Sequence, residues 1–131
     1  MSEARPAQAV LEARDLSFGY ARGRDAVFEK VSLEVAPREI VCLLGGSGCG
    51  KSTLLRTLAH LEAPAAGRAS GQIRFLGEPL AAPHPRAAMV FQQPLRLPMS
   101  AYTNVRFGRR DASPDTAIER AGATSVVQAL P

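Results

Sequence analysis

Nine consecutive residues constrain this chain more than any others: Gly45-Gly46-Ser47-Gly48-Cys49-Gly50-Lys51-Ser52-Thr53. They fit G-x-x-x-x-G-K-[ST] at every fixed position. The apolar run Ile40-Val41-Cys42-Leu43-Leu44 stands directly before them and predicts a buried strand feeding the loop. Directly after them, Leu54, Leu55, Leu58 and Leu61 recur at helical spacing. That spacing predicts a helix over residues 52–61 with one apolar face. A strand that runs into a glycine-rich loop and leaves it as a helix is the context such a loop needs to hold phosphate.

The residue types follow from that chemistry. Backbone N–H groups must close around phosphate oxygens, and side chains at Gly45, Gly48 and Gly50 would obstruct the approach. Gly46, Ser47 and Cys49 complete the loop. The N–H groups of Gly50, Lys51, Ser52 and Thr53 open the helix, where unpaired donors and the helix dipole favour an anion. Lys51 supplies a point charge for the β/γ-phosphates, and the Ser52 hydroxyl is the expected Mg²⁺ ligand. The chain is therefore expected to bind a nucleoside triphosphate with Mg²⁺.

Composition bounds the reading. The 131 residues suffice for one small domain, and 46% hydrophobic with 21% charged residues is ordinary for a globular protein. No apolar stretch reaches the length of a membrane span, and Met1 to Pro6 lacks the apolar centre of a signal peptide, so a cytoplasmic location is expected. The net charge of +4 comes almost wholly from arginines, which are scattered with few aromatics between them. A solvated surface explains them better than a nucleic-acid interface. The two cysteines do not form a disulfide framework. Cys42 is expected to pack as a small hydrophobe in its strand. Cys49 lies inside the loop, where alkylation should block nucleotide and nucleotide should protect it.

Residues 1–9 read as a loose N-terminus and 10–131 as part of one domain. Leu16, Phe18 and Tyr20 alternate as a half-buried strand does, and so do Phe28, Val31, Leu33 and Val35. Glu62 to Ser70 reads as a connector, Ile73–Leu76 as a short strand stopped at Gly77, and Ala87–Phe91 as another apolar strand. Ser100 can cap a helix to about Phe107. Ser113-Pro114 can start a further helix ending near Gly122. Residues 123–131 carry no clear signal. The pattern predicts an α/β nucleotide-binding core with an N-terminal antiparallel β-subdomain.

At this point the chain resembles the nucleotide-binding subunit of an ABC transporter, a P-loop NTPase family. Leu16-Ser17-Phe18-Gly19-Tyr20 is similar to the family's first strand, which ends in an aromatic residue that stacks on adenine. Gly48 to Leu55 is similar to its loop and helix start. Gly71-Gln72-Ile73 with Gly77 is similar to its next hairpin, and Met89-Val90-Phe91-Gln92 to the segment ending in the Q-loop glutamine. The resemblance implies that Tyr20 stacks on the base of ATP. It also implies that Gln92 senses Mg²⁺ and the attacking water; Gln93 is the alternative if the register slips by one. Taken alone, Tyr20 is also readable as a core aromatic and Gln92 as a loop amide. Leu97-Pro98-Met99-Ser100 before Asn104-Val105 is similar to phosphate-importer ATPases, which implies phosphate or another small anion as cargo. The region Leu95–Tyr102, through Leu95, Leu97, Met99 and Tyr102, would then face the transmembrane permease. A second nucleotide-binding subunit would complete a dimer on the inner face of the membrane.

The sequence departs from that family pattern in what it lacks. Neither an LSGGQ-type signature nor an apolar run ending in Asp-Glu (the Walker B carboxylates) occurs in the 131 residues. No segment resembles the one carrying the family's switch histidine: His60 reads as a surface residue at a helix end and His84 as a loop residue. Phosphoryl transfer to water depends on positioning and charge stabilisation. Lys51, Ser52 and Gln92 would supply part of that, without a carboxylate to orient water. The chain alone is therefore expected to bind Mg-ATP weakly and to hydrolyse it slowly or not at all. Two other readings stay open at this level: a non-catalytic truncated or decoy module, and another P-loop NTPase or kinase.

Overall fold

The computed structural model describes residues 8–23, 25–62, 67–93, 96–107 and 113–129. The chain divides into two compact units, residues 1–89 and 90–131.

The first unit is built on a four-stranded antiparallel sheet in the order β2-β1-β3-β4. The strands are β1 (Leu11–Tyr20), β2 (Phe28–Val35), β3 (Gly67–Phe75) and β4 (Glu78–Pro79). The central strand departs from simple alternation. Ala13, Leu16 and Phe18 are all buried, although strict period-2 alternation from Ala13 would bury 15 and 17 instead. Register shifts in the pairing of β1 with both neighbours absorb the extra residue.

At the kink, Asp15 in β1 and Lys30 in β2 both adopt left-handed backbone angles, φ 48° and 50°. Each has its N–H satisfied by a serine hydroxyl of the opposite strand. Asp15 donates to Ser32 Oγ and Lys30 to Ser17 Oγ, both at 2.9 Å. On the other flank, a Cβ at Gly71 would lie 2.6 Å from the carbonyl oxygens of Arg14 and Asp15. Only glycine lets β3 pass the bulge there.

Helix α1 (Lys51–Leu58) packs on β1. The core joins Ala13 and Leu16 to Leu54 and Leu58, with Leu11, Phe28, Val31, Leu33, Leu43 and Ile73 against it. The buried stripe of α1 is Thr53, Leu54, Thr57 and Leu58. Leu55 and Leu61, expected on that face, are exposed. The helix also stops short of Leu61. His60 takes the left-handed conformation, φ 54°. Its N–H bonds to Thr57 O and the Leu61 N–H reaches back to Arg56 O. This is a Schellman ending with histidine in the position glycine usually holds.

Two expected strands do not form. Residues 40–44 and 87–91 carry no regular element. Ile40, Leu44 and Val90 are 89%, 93% and 94% exposed. Leu43 alone of the first run packs against the core, and Cys42 is exposed rather than packed. A strand that is apolar on both faces needs hydrogen-bonded neighbours and cover on each side. Among the described residues neither run pairs with another strand. A third difference runs the other way: residues 67–70, expected as connector, form the first half of β3.

The second unit carries α2 (Ala101–Arg106), α3 (Asp115–Arg120) and α4 (Thr124–Ala129). Ser100 caps α2 as expected, its hydroxyl accepting from Thr103 N–H. Gly122, φ 63°, follows α3 and ends it, with Ala123 N–H bonding Ile118 O. Helix α4 lies where the sequence carries no signal.

Candidate functional site

The loop between Leu44 and α1 takes the shape its glycines permit. Gly48 and Gly50 have φ of 79° and 94°. A Cβ at Gly45 would come within 2.7 Å of Cys49 Sγ, and one at Gly50 within 2.8 Å of Val27 Cγ1. The loop is thus folded tightly on itself and against the start of β2.

Lys51 bends back over this loop. Its ammonium donates to Gly45 O at 2.8 Å and Gly46 O at 2.6 Å, and lies 3.5 Å from Cys49 Sγ. One side chain therefore bridges the first turn of the helix to the first residues of the loop and holds a positive charge over it.

Gly50 offers α1 no side-chain cap. Among the described residues, the backbone N–H groups of Lys51, Ser52 and Thr53 have no hydrogen-bond acceptor. The first intrahelical bond is Leu54 N–H to Gly50 O at 2.8 Å. Orphan donors at a helix start, beside a lysine and with no acidic residue in the first turn, form an anion cradle. The Ser52 hydroxyl is exposed at the same turn.

Tyr20 ends β1 beside this turn. Its hydroxyl lies 3.3 Å from Thr53 Oγ1. Its ring meets Phe18 edge-to-face, centroids 5.1 Å apart. Its cross-strand partner is Gly67, where an added Cβ would stand 2.7 Å from the Phe18 ring. In sequence, only the resemblance links Tyr20 to the nucleotide, and Thr53 is the last residue of the loop motif. The bond between them joins residues 33 apart in sequence and has no local signature.

Gln92 and Gln93 lie in an exposed bend of the second unit. Of the expected partner-facing residues, Met99 and Tyr102 are exposed and Leu97 is half-buried; Leu95 lies outside the described residues. Asn104 organises this stretch. Its Oδ1 accepts from Leu97 N–H at 3.0 Å, and its Nδ2 donates to the carbonyls of Leu97, Met99 and Ser100. One buried-side amide thus staples the turn 97–100 onto the start of α2.

An antiparallel sheet ending in an aromatic residue, set beside a glycine-rich loop and the helix that follows it, defines a nucleotide-binding domain of the P-loop type. Residues 28–130 match the family model described as ABC transporter, and the chain belongs to that family, within its ATP-binding domain. It is 44% identical over 103 residues to the taurine import ATP-binding protein TauB of Chromobacterium violaceum, covering 78% of this chain and 38% of that protein. It is 38% identical over 115 residues to the aliphatic sulfonates import ATP-binding protein SsuB 2 of Burkholderia cenocepacia, covering 83% of this chain and 41% of that protein. The chain thus spans about two fifths of the length of these relatives. Among solved structures it is similar to a bacterial Atm1-family ABC exporter with ATP bound, TM-score 0.64 and 26% identity, covering 96% of this chain and 24% of that one. Membership of this family removes the reading as an unrelated P-loop kinase or GTPase. Among the described residues no helix is long and apolar enough to cross a membrane.

Proposed function

We propose that this chain is the nucleotide-holding portion of an ABC importer's ATP-binding subunit. The observation that carries the reading is the start of α1. Among the described residues, three backbone N–H groups there have no acceptor, and the Lys51 ammonium is held on the adjoining loop at Gly45 O and Gly46 O. That donor set fits a polyphosphate, and the exposed Ser52 hydroxyl fits a Mg²⁺ that takes its other ligands from phosphate and water. Among the described residues no cluster of His, Cys, Asp or Glu offers an all-protein metal cage, which suits a metal carried in with the nucleotide. The loop residues Gly45 to Gly50 wrap the phosphates, Lys51 neutralises the β/γ end, and Tyr20 stacks on the base. Gln92 takes the Q-loop role that the family resemblance implies for it.

The relatives' names support import, and they favour a sulfonated organic anion over phosphate as cargo. Taurine and aliphatic sulfonates share with phosphate a tetrahedral oxyanion group, so the cargo in this reading is a small sulfonate-bearing molecule. The region Leu95–Tyr102, in which Met99 and Tyr102 are exposed, contacts the transmembrane permease, and a second ATP-binding subunit completes the dimer at the cytoplasmic face of the membrane. The 131-residue chain alone binds Mg-ATP weakly and turns it over slowly or not at all, since none of its apolar runs ends in the Asp-Glu pair that would orient water.

Calorimetric titration of the chain with Mg-ATP tests this. Wild type binds, and Lys51→Ala weakens binding at least about tenfold, the cost of removing a charge-assisted contact to phosphate. Equal affinities for the two proteins would sink the reading.

A further inference from the structure

Tyr20 is held at both ends. At its base, Phe18 meets the ring edge-to-face, and Phe18 is itself almost fully buried and stacked at 6.2 Å on Phe28. At its tip, the hydroxyl reaches Thr53 Oγ1. Thr53 is only 8% exposed, and its carbonyl accepts from Thr57 Oγ1 at 2.8 Å, so the turn that presents its hydroxyl is fixed. Tyr20 as a whole is 38% exposed, and its cross-strand partner is Gly67.

An aromatic ring that is anchored at base and tip and left uncovered is set up to receive a flat partner. A free tyrosine at a strand end samples several rotamers, and a base that stacks on it must first immobilise it. The Thr53 hydroxyl removes that freedom beforehand.

We propose that Thr53 is a positioning residue for Tyr20. Its side chain acts on base recognition through the Tyr20 hydroxyl, separately from any contact its backbone N–H makes with phosphate. The inference rests on the proposed stacking of Tyr20 on the base. It adds a mechanical link between the two ends of the nucleotide, since the residue that fixes the ring is part of the phosphate cradle's own helix turn.

The 3.3 Å separation is long for an O–H···O bond, so the effect sits in the lower half of what a neutral hydrogen bond contributes. That corresponds to about two- to fivefold in affinity. The test compares Mg-ATP with Mg-tripolyphosphate, which carries the phosphates and no base, on the full chain. Thr53→Val and Tyr20→Phe are each expected to weaken ATP about two- to fivefold and tripolyphosphate distinctly less. The double variant should be no weaker than either single one, and Thr53→Ser should restore ATP binding. A second readout needs no nucleotide. The chain has two tyrosines and no tryptophan, so Tyr102→Phe leaves Tyr20 as the sole tyrosine emitter. In that background Thr53→Val should raise acrylamide quenching and lower the anisotropy of Tyr20 emission, and Thr53→Ser should reverse both.

Equal weakening of ATP and tripolyphosphate by Thr53→Val would overturn the proposal and assign the hydroxyl to phosphate. Unchanged quenching would overturn it as well. Tyr20→Ala separates the two layers of the argument. If Tyr20→Ala weakens ATP selectively and Thr53→Val does not, base stacking stands and the positioning role falls. If Tyr20→Ala leaves ATP unaffected, both fall together.

Discussion

Gly50→Ala probes the link between the loop and the β-sheet. Gly50 carries φ 94°, and an added Cβ would stand 2.8 Å from Val27 Cγ1 and 3.3 Å from Val27 O. Val27 cannot easily retreat: its N–H donates to Phe18 O at 2.7 Å, which ties it to the end of β1, and its branched side chain has few rotamers. The left-handed backbone costs alanine about 1–2 kcal/mol, and overpacking adds about 1–3 kcal/mol. Reduced freedom of the unfolded chain returns about 0.4–1 kcal/mol. The net expectation is a loss of about 1–4.5 kcal/mol, a large share of the roughly 5–15 kcal/mol by which domains are stable.

Urea unfolding followed by far-UV circular dichroism measures that loss. Val27→Ala provides the internal control, because it removes the Cγ1 contact and leaves the backbone strain. The cycle of Gly50→Ala, Val27→Ala and the double variant should show a favourable coupling of at least about 1 kcal/mol. Mg-ATP affinity should recover in parallel. A Gly50→Ala variant within about 0.5 kcal/mol of wild type, or a double variant with purely additive losses, would refute the packing argument.

Two further expectations follow from single residues. Cys49 is exposed with Lys51 Nζ at 3.5 Å, so a maleimide should label it and abolish ATP binding, and prior saturation with Mg-ATP should slow labelling; equal rates with and without ATP would place the thiol outside the bound nucleotide's footprint. Asn104→Ala removes four bonds to the 97–100 turn and leaves its polar groups to water, so limited proteolysis should cut that turn faster while Mg-ATP affinity stays unchanged; an unchanged cleavage pattern would mean that the turn holds without the amide.

The glycine loop was legible in the sequence because its shape rests on local backbone geometry. Glycine at positions 45, 48 and 50 and lysine at 51 specify a loop shape and a charge within a single turn of chain. The Ser100 cap and the Gly122 ending were legible for the same reason, since each acts within a few residues of itself. The kink in β1 was not. Leu16 reads as one member of an alternating run with Phe18 and Tyr20, and burial of Ala13 on the same face depends on two serines of partner strands holding Asp15 and Lys30 in unusual backbone angles. The face of α1 was read one position off for a related reason. Leucines at 54, 55, 58 and 61 allow two stripes, and the side on which Ala13 and Leu16 lie selects 54 and 58, with Thr53 and Thr57 buried beside them.

By itself, then, the sequence determined what acts locally: a phosphate cradle, the helix behind it, the helix caps, and membership of a transporter ATPase family. Tertiary structure decided everything that depends on a distant partner. The apolar runs 40–44 and 87–91 carry strand-like composition, yet a strand exists only when another segment satisfies its backbone edge, and among the described residues none does. The partnership of Tyr20 with Thr53 is decided in the same way. A hydrogen bond across 33 residues of sequence arises from the packing of α1 on β1, and only folding brings its two hydroxyls together.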